Sequence, residues 1–174
     1  MVSIMRILTA YFEEGATLAL SLANDLSKHR QGALAEPCPP GSGSDPDAAT
    51  AQRLTLLQQQ LRDVLEAQSV AESSNKLNAM LHDAAAAPTL AEDSDGRWRL
   101  HLHSVHADTI SRKTANCAAG LATLIDDDEW TSIKQCVADR CDDYFLDLSR
   151  NQSRRFCSRT CANRINARTH RARS

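Results

Sequence analysis

Four cysteines near the C-terminal end constrain this chain more than anything else in it. Cys136 and Cys141 form a C-x4-C pair, fifteen residues follow, and Cys157 and Cys161 form a C-x3-C pair. Two close pairs at that separation are the pattern of a four-cysteine zinc site. Each pair offers two thiolates from one turn, and the chain between them returns to complete a tetrahedron. The expectation is one zinc ion, and four thiolates leave it no open position, so its role is structural and not catalytic. Two disulfides or four free thiols are the alternatives. Placement in the cytoplasm, where thiols stay reduced, argues against the disulfides. A segment this small has little core of its own, so metal binding is expected to contribute most of its folding energy.

The surrounding residues fit such a site. Tyr144, Phe145 and Leu146 suit a short strand across the first knuckle, and residues 149–153 read as a turn. After Cys157 the chain suits a helix through Ala162, Arg164, Ile165, Ala167 and Arg168. The second cysteine pair then sits at that helix's N-terminus, where the dipole favours thiolate. The layout is treble-clef-like.

Charge divides the chain at the same place. Residues 1–129 carry 10 Lys and Arg against 18 Asp and Glu, a net of −8, whereas residues 130–174 carry 10 against 4, a net of +6. From Leu148 to Ser174 there are eight arginines and no acid: Arg150, Arg154, Arg155, Arg159, Arg164, Arg168, Arg171 and Arg173. Arg164, Arg168 and Arg171 recur at helical spacing and predict a basic stripe, which His170 would join. The guanidinium fork suits phosphates and guanine edges, and a helix held at a fixed angle by zinc is a reasonable element for a DNA major groove. Duplex DNA is the expected partner. A protein-interaction scaffold whose arginines meet an acidic surface is one competing reading and an RNA-binding module the other, since phosphate contacts do not distinguish the nucleic acids.

Before residue 130 the chain reads as mainly α with a small β hairpin (α+β). Aromatics make up 4% of the 174 residues, so the core must be aliphatic. A first helical segment is expected over about residues 3–27, with Gly15 as a break. Residues 31–47, rich in Pro and Gly, read as a long loop. Leu54, Leu57, Leu61, Val64, Leu65 and Gln68 step at three and four residues over about 47–68, and Leu77, Met80, Leu81 and Ala84 do so over about 74–86. Ser73 or Ser74 is the expected cap of the latter helix. Asp95-Gly96 between alternating runs predicts a hairpin with Trp98, Leu100 and Leu102 on one face and Arg99, His101 and His103 on the other. A further helix over about 107–125 turns Ile110, Ala115, Cys117, Leu121 and Leu124 inward. The acidic run from Asp126 to Glu129 ends it and sets the expected division into residues 1–129 and 130–174.

No run of 18 apolar residues exists, so no membrane span is expected. Glu13 and Glu14 interrupt what would be the apolar part of a signal peptide, and the protein is placed in the cytoplasm, nucleoid-associated if it binds DNA. No Gly-rich phosphate loop or nucleophile motif appears, so no enzyme is expected. Cys117 reads as a small core residue and Cys38 as a redox candidate in the loop. His101, His103 and His106 form a candidate second metal site, against which stands an ordinary exposed hairpin face. Asn24, polar in an apolar helix, is expected to bridge inside the body or to line a small-molecule pocket. The leucine-faced helices offer a surface for a homodimer, and Asp126, Asp127 and Asp128 offer charges that would fold back on the arginines.

These residues also carry a resemblance. Cys136-Val137-Ala138-Asp139-Arg140-Cys141, Phe145 to Asn151, Arg154-Arg155-Phe156-Cys157-Ser158 and Cys161-Ala162-Asn163-Arg164 resemble the CGNR-type zinc finger. Ala162 stands where the family usually has glycine, a mild change at a helix start, and Phe156 where it often has tryptophan. Leu18 to Asn24, Leu61 to Asp63 and Leu77-Asn78 resemble, more loosely, the ABATE domain that normally precedes this finger. The resemblance implies a bacterial, stress-induced transcription regulator. It also implies Cys136, Cys141, Cys157 and Cys161 as zinc ligands, a DNA-binding finger, and a body that senses an effector or mediates interaction.

Overall fold

The computed structural model describes residues 14–25, 47–92, 95–104 and 106–173, with side chains described as far as Arg168. Residues 31–46 of the expected loop, Cys38 among them, and both ends of the first helical segment lie outside these residues. So do the side chains of His170, Arg171 and Arg173.

Residues 14–25 are helical throughout (α1), Gly15 among them. A Cβ on Gly15 would come within 2.4 Å of Asn116 O and 3.4 Å of Gly120 Cα, so the missing side chain lets two helix backbones touch. The small residues Ala16, Ala19 and Ala23, all fully buried, continue that close approach.

Helix α2 spans Ala48–Leu65, and Asp47 caps it by accepting from Thr50 N at 2.7 Å. Leu57, Leu61 and Val64 are buried on its inner face. Helix α3 spans Val70–Asp83 and starts earlier than the apolar pattern suggests, because Ser69 supplies the cap by accepting from Glu72 N. Ser73, a candidate for that role, is instead buried, and its hydroxyl donates to Val64 O at 3.1 Å, which ties α3 to the end of α2. Helix α4, Thr109–Asp126, is capped by Asp108, which accepts from Ile110 N and Ser111 N. It packs on α2 and α3, and Cys117, Ala118 and Leu121 are fully buried in the shared core with Leu77 and Met80. The inward leucines thus cover each other within one chain, whereas Leu56 on α2 stays exposed.

Strands β1, Thr89–Glu92, and β2, Trp98–His101, form the expected antiparallel hairpin around Gly96, whose φ is +73°. Leu90 pairs with Leu100 and Glu92 with Trp98, on one face of a two-stranded sheet that leaves Trp98 68% exposed. Leu102 falls after the strand has ended.

After α4, Asp128 takes a positive φ, and a 3-10 turn over Trp130–Ser132 leads into a second hairpin. Strand β3, Ile133–Gln135, pairs antiparallel with β4, Tyr144–Leu146, where the sequence suggested only one short strand. Cross-strand partners share a face. Ile133 and its partner Leu146 turn with Trp130 onto the helical core, whereas Phe145 turns the other way into a small cluster with Cys136, Ala138 and Cys161. Helix α5, Arg159–Arg173, completes the chain. The architecture is mostly helical with two small antiparallel hairpins and a C-terminal cysteine cluster. Among the described residues no helix is long and apolar enough to cross a membrane.

Candidate metal centre

The β3–β4 hairpin carries the first cysteine pair in its connection. Cys136 directly follows β3, and the chain turns through Arg140, at φ +61°, to Cys141, whose N–H donates to Ala138 O. Cys157 precedes α5, and Cys161 lies in its first turn, where its N–H donates to the Ser158 hydroxyl at 3.2 Å. The four Sγ atoms all lie within 4.8 Å of one another, with Cys141 to Cys157 at 3.7 Å and Cys157 to Cys161 at 3.6 Å. A tetrahedron with Zn–S bonds of about 2.3 Å has S···S edges of about 3.8 Å, so the spacing fits zinc. It does not fit disulfides, whose sulfurs lie about 2.0 Å apart, and the cysteines are unbridged.

Burial pushes Cys141 up to about 11 and is the first cause raising Cys157 as well, a bias toward the protonated thiol. Cys161 is shifted down: burial opposes ionisation there, but the Ser158 hydroxyl and the neighbouring thiols outweigh it. A divalent cation reverses the proton-holding bias by binding the thiolate form. Sulfur also receives backbone donors, as when Cys157 N–H points at Cys136 Sγ at 3.4 Å. The four cysteines form a zinc-binding site. Residues 132–174 match the CGNR zinc finger. No curated protein matches the chain.

Two polar groups hold the loops of the CGNR finger. Asp147 is buried, and its carboxylate accepts from Ser149 N and Oγ, from Arg154 N at 2.8 Å and from Lys134 Nζ at 3.2 Å. With the Ser149 hydroxyl as the largest cause, these bonds hold its carboxyl well below the usual carboxylate range. Arg154 lies over the Phe145 ring at 4.9 Å and donates to the carbonyls of Phe156 and Cys157. Asp147 lies in the stretch from Phe145 to Asn151 that carries the family resemblance, but its role as a loop anchor shows only in the Asp-x-Ser spacing of a side chain that bonds its own turn.

The predicted arginines do not form one uniform stripe. Arg164 Nη1 donates to Asp139 O at 3.1 Å, and Arg168 pairs with the Asp139 carboxylate. Arg155 lies beside the Phe156 ring at 5.8 Å. Arg150 and Arg159 are exposed. A groove of about 470 Å³ opens beside the second cysteine pair, lined by Ser153, Arg154, Arg155, Phe156, Ser158 and Arg159. Among the described residues, none of the carboxylates from Asp126 to Glu129 pairs with these arginines. Among the described residues the acid that reaches them is Asp139.

Elsewhere, the structure places the His101 and His103 rings 5.1 Å apart. Among the described residues, however, the four cysteines are the one group of three or more side chains placed to hold a metal. Cys117 is fully buried on α4, as expected, and burial pushes its thiol up to about 12. Asn24 reaches across to the CGNR finger. Its Nδ2 donates to Tyr144 O at 2.8 Å, and its Oδ1 accepts from Tyr144 N at 2.7 Å. Arg62, whose side chain is 10% exposed, donates to Asp142 O and stacks on the Tyr144 ring at 4.9 Å.

Proposed function

We propose that this protein is a DNA-binding transcription regulator, with the zinc-ordered finger as its DNA-contacting part. One observation carries the reading: the stretch that holds Cys157, Cys161 and α5 has eight arginines and no acid from Leu148 onward, on a chain whose first 129 residues are net acidic. A helix polar on all sides has no face to bury in its own protein, and α5 beyond Ile165 is of that kind. Its charge suits a polyanion, and four thiolate ligands leave the zinc no position for catalysis, so no enzymatic role is assigned.

In this reading residues 130–174 are the reader, and residues 1–129 an ABATE-type body that senses an effector or meets a partner. The protein works in the cytoplasm, at the nucleoid. The likeness of Leu18 to Asn24 to the ABATE opening supports that part.

The test is fluorescence anisotropy of zinc-loaded protein on mixed-sequence duplex DNA, at about 50 and about 200 mM salt, with and without chelator. Binding that weakens steeply with salt and is lost on chelation is expected. Zinc-loaded protein that ignores duplex at the lower salt overturns the reading in favour of a protein-interaction scaffold. Preference for RNA in competition overturns the choice of nucleic acid.

A further inference from the structure

The arginines of the CGNR finger have two kinds of surroundings. Arg154 lies over Phe145 and bonds the carbonyls of Phe156 and Cys157, where it closes the turn that delivers the second cysteine pair. Arg164 reaches back to the carbonyl of Asp139, inside the first knuckle, and Arg168 meets the carboxylate of the same residue. These three tie α5 and the two knuckles together around the metal. Arg155 and Arg159 are different. All five arginines are exposed and Arg154 shares the groove of about 470 Å³ with Arg155 and Arg159, but neither the Arg155 nor the Arg159 side chain makes an ion pair among the described residues. Ser158 lines the groove too, and its hydroxyl oxygen accepts from Cys161 N. Ser153 also lines the groove, and Arg155 lies over the Phe156 ring. No carboxylate lines the groove.

We infer that this groove seats the phosphates of duplex DNA, with Arg155 and Arg159 as the two jaws and Ser153 and Ser158 as neutral donors, whereas Arg154, Arg164 and Arg168 brace the metal site. The inference rests on the DNA-binding reading and narrows it from a charged surface to one place. Guanidinium forks match phosphate oxygens in pairs, and a hydroxyl adds a bond without adding repulsion. An open groove admits a continuous strand, where a closed cavity would take only a small free anion.

The experiment compares zinc-loaded full-length variants on one duplex across a salt series. Arg155→Ala/Arg159→Ala is expected to keep full zinc content and the wild-type Tm. Its affinity should fall about tenfold to a hundredfold at low salt. Its log–log salt slope should become shallower by roughly two, near one per lost phosphate contact. Arg155→Lys/Arg159→Lys should recover the slope and part of the affinity. Arg168→Ala should change affinity by less than about threefold, as an exposed pair contributes little. Arg164→Ala should release zinc to a chelating dye sooner than the wild type. Should the double alanine variant bind like the wild type while Arg168→Ala does not, the groove is overturned and the outer face of α5 is the reader. Should the wild type itself not bind duplex, the DNA reading falls, and the groove assignment with it.

Discussion

The carboxamide of Asn24 is bonded to both backbone groups of Tyr144, 120 residues further along the chain. Tyr144 lies on β4, whose neighbouring residues Asp143 and Asp147 bond back toward β3 through Cys136 N and Ser132 O. Groups alternate along an antiparallel strand, so Tyr144 offers its N–H and C=O on the edge away from β3. One side chain therefore does there what a residue of a third strand would do. Arg62 reinforces the junction through Asp142 and the Tyr144 ring.

Asn24→Ala removes both bonds and leaves two partly buried backbone groups unsatisfied. The expected loss is about 2 kcal/mol of stability. Because β4 leads back from the knuckle that holds Cys136 and Cys141, zinc should also pass to a competing dye faster than in the wild type. A variant that loses stability but releases zinc at the wild-type rate would show that the junction serves the body alone.

Zinc removal should be felt well beyond the CGNR finger. Trp130, Ile133 and Leu146 pack on the same core as Leu61, Leu77 and Leu121. If about 3 kcal/mol of stabilisation is lost with the metal, a chain of this size should melt roughly 6–12 °C lower. In Trp98→Phe, the remaining tryptophan is Trp130, and its emission should move to longer wavelength on chelation. Unchanged Trp130 emission and unchanged melting of the helices would mean that the hairpin stays docked without metal.

Gly15→Ala tests the crossing of α1 and α4. In an exposed helix this change is favourable by up to about 1 kcal/mol. Here the added carbon would meet Asn116 O at 2.4 Å, and both partners are backbone, so a helix must shift. Destabilisation of about 1–3 kcal/mol is expected in urea unfolding, with zinc content unaltered. A gain in stability would mean that the crossing is looser than described.

Asp108 gives a pH signature. Hydrogen bonds from Ser111, with Arg53 beside it, hold its carboxyl below the ordinary range. A carboxyl depressed in the folded state stabilises above its unfolded value of about 4, and that stability drains away as pH falls from there toward the folded value. Asp108→Ala should cost about 1 kcal/mol at neutral pH through the lost cap. The gap to the wild type should hold from pH 7 to 5 and narrow below pH 4. A gap independent of pH would assign the effect to packing and not to the charge.

What the sequence revealed depended on how local the physics was. The cysteine pairs were legible because their spacing is a property of two turns. The helix centres and the Asp95-Gly96 hairpin were legible because their periodicity lies in neighbouring residues. Ser69 was less visible as a cap than Ser73, because the buried bond from Ser73 to Val64 O depends on how α2 and α3 pack. Gly15 looked like a break because nothing near it in sequence announces Asn116 as its neighbour. The arginines looked equivalent, since charge and spacing do not say which of them a knuckle carbonyl will claim. Three-residue strands such as β3 carry too few residues for alternation to register.

The second hairpin has a consequence for portability. Residues 132–174 grafted onto another carrier would bring Ile133 and Leu146 without the helices that cover them and Tyr144 without Asn24. A body cut before Trp130 would lose three of the side chains that close its core. The finger is therefore no interchangeable cassette, and a chimera that keeps it working must carry the surface beneath it as well.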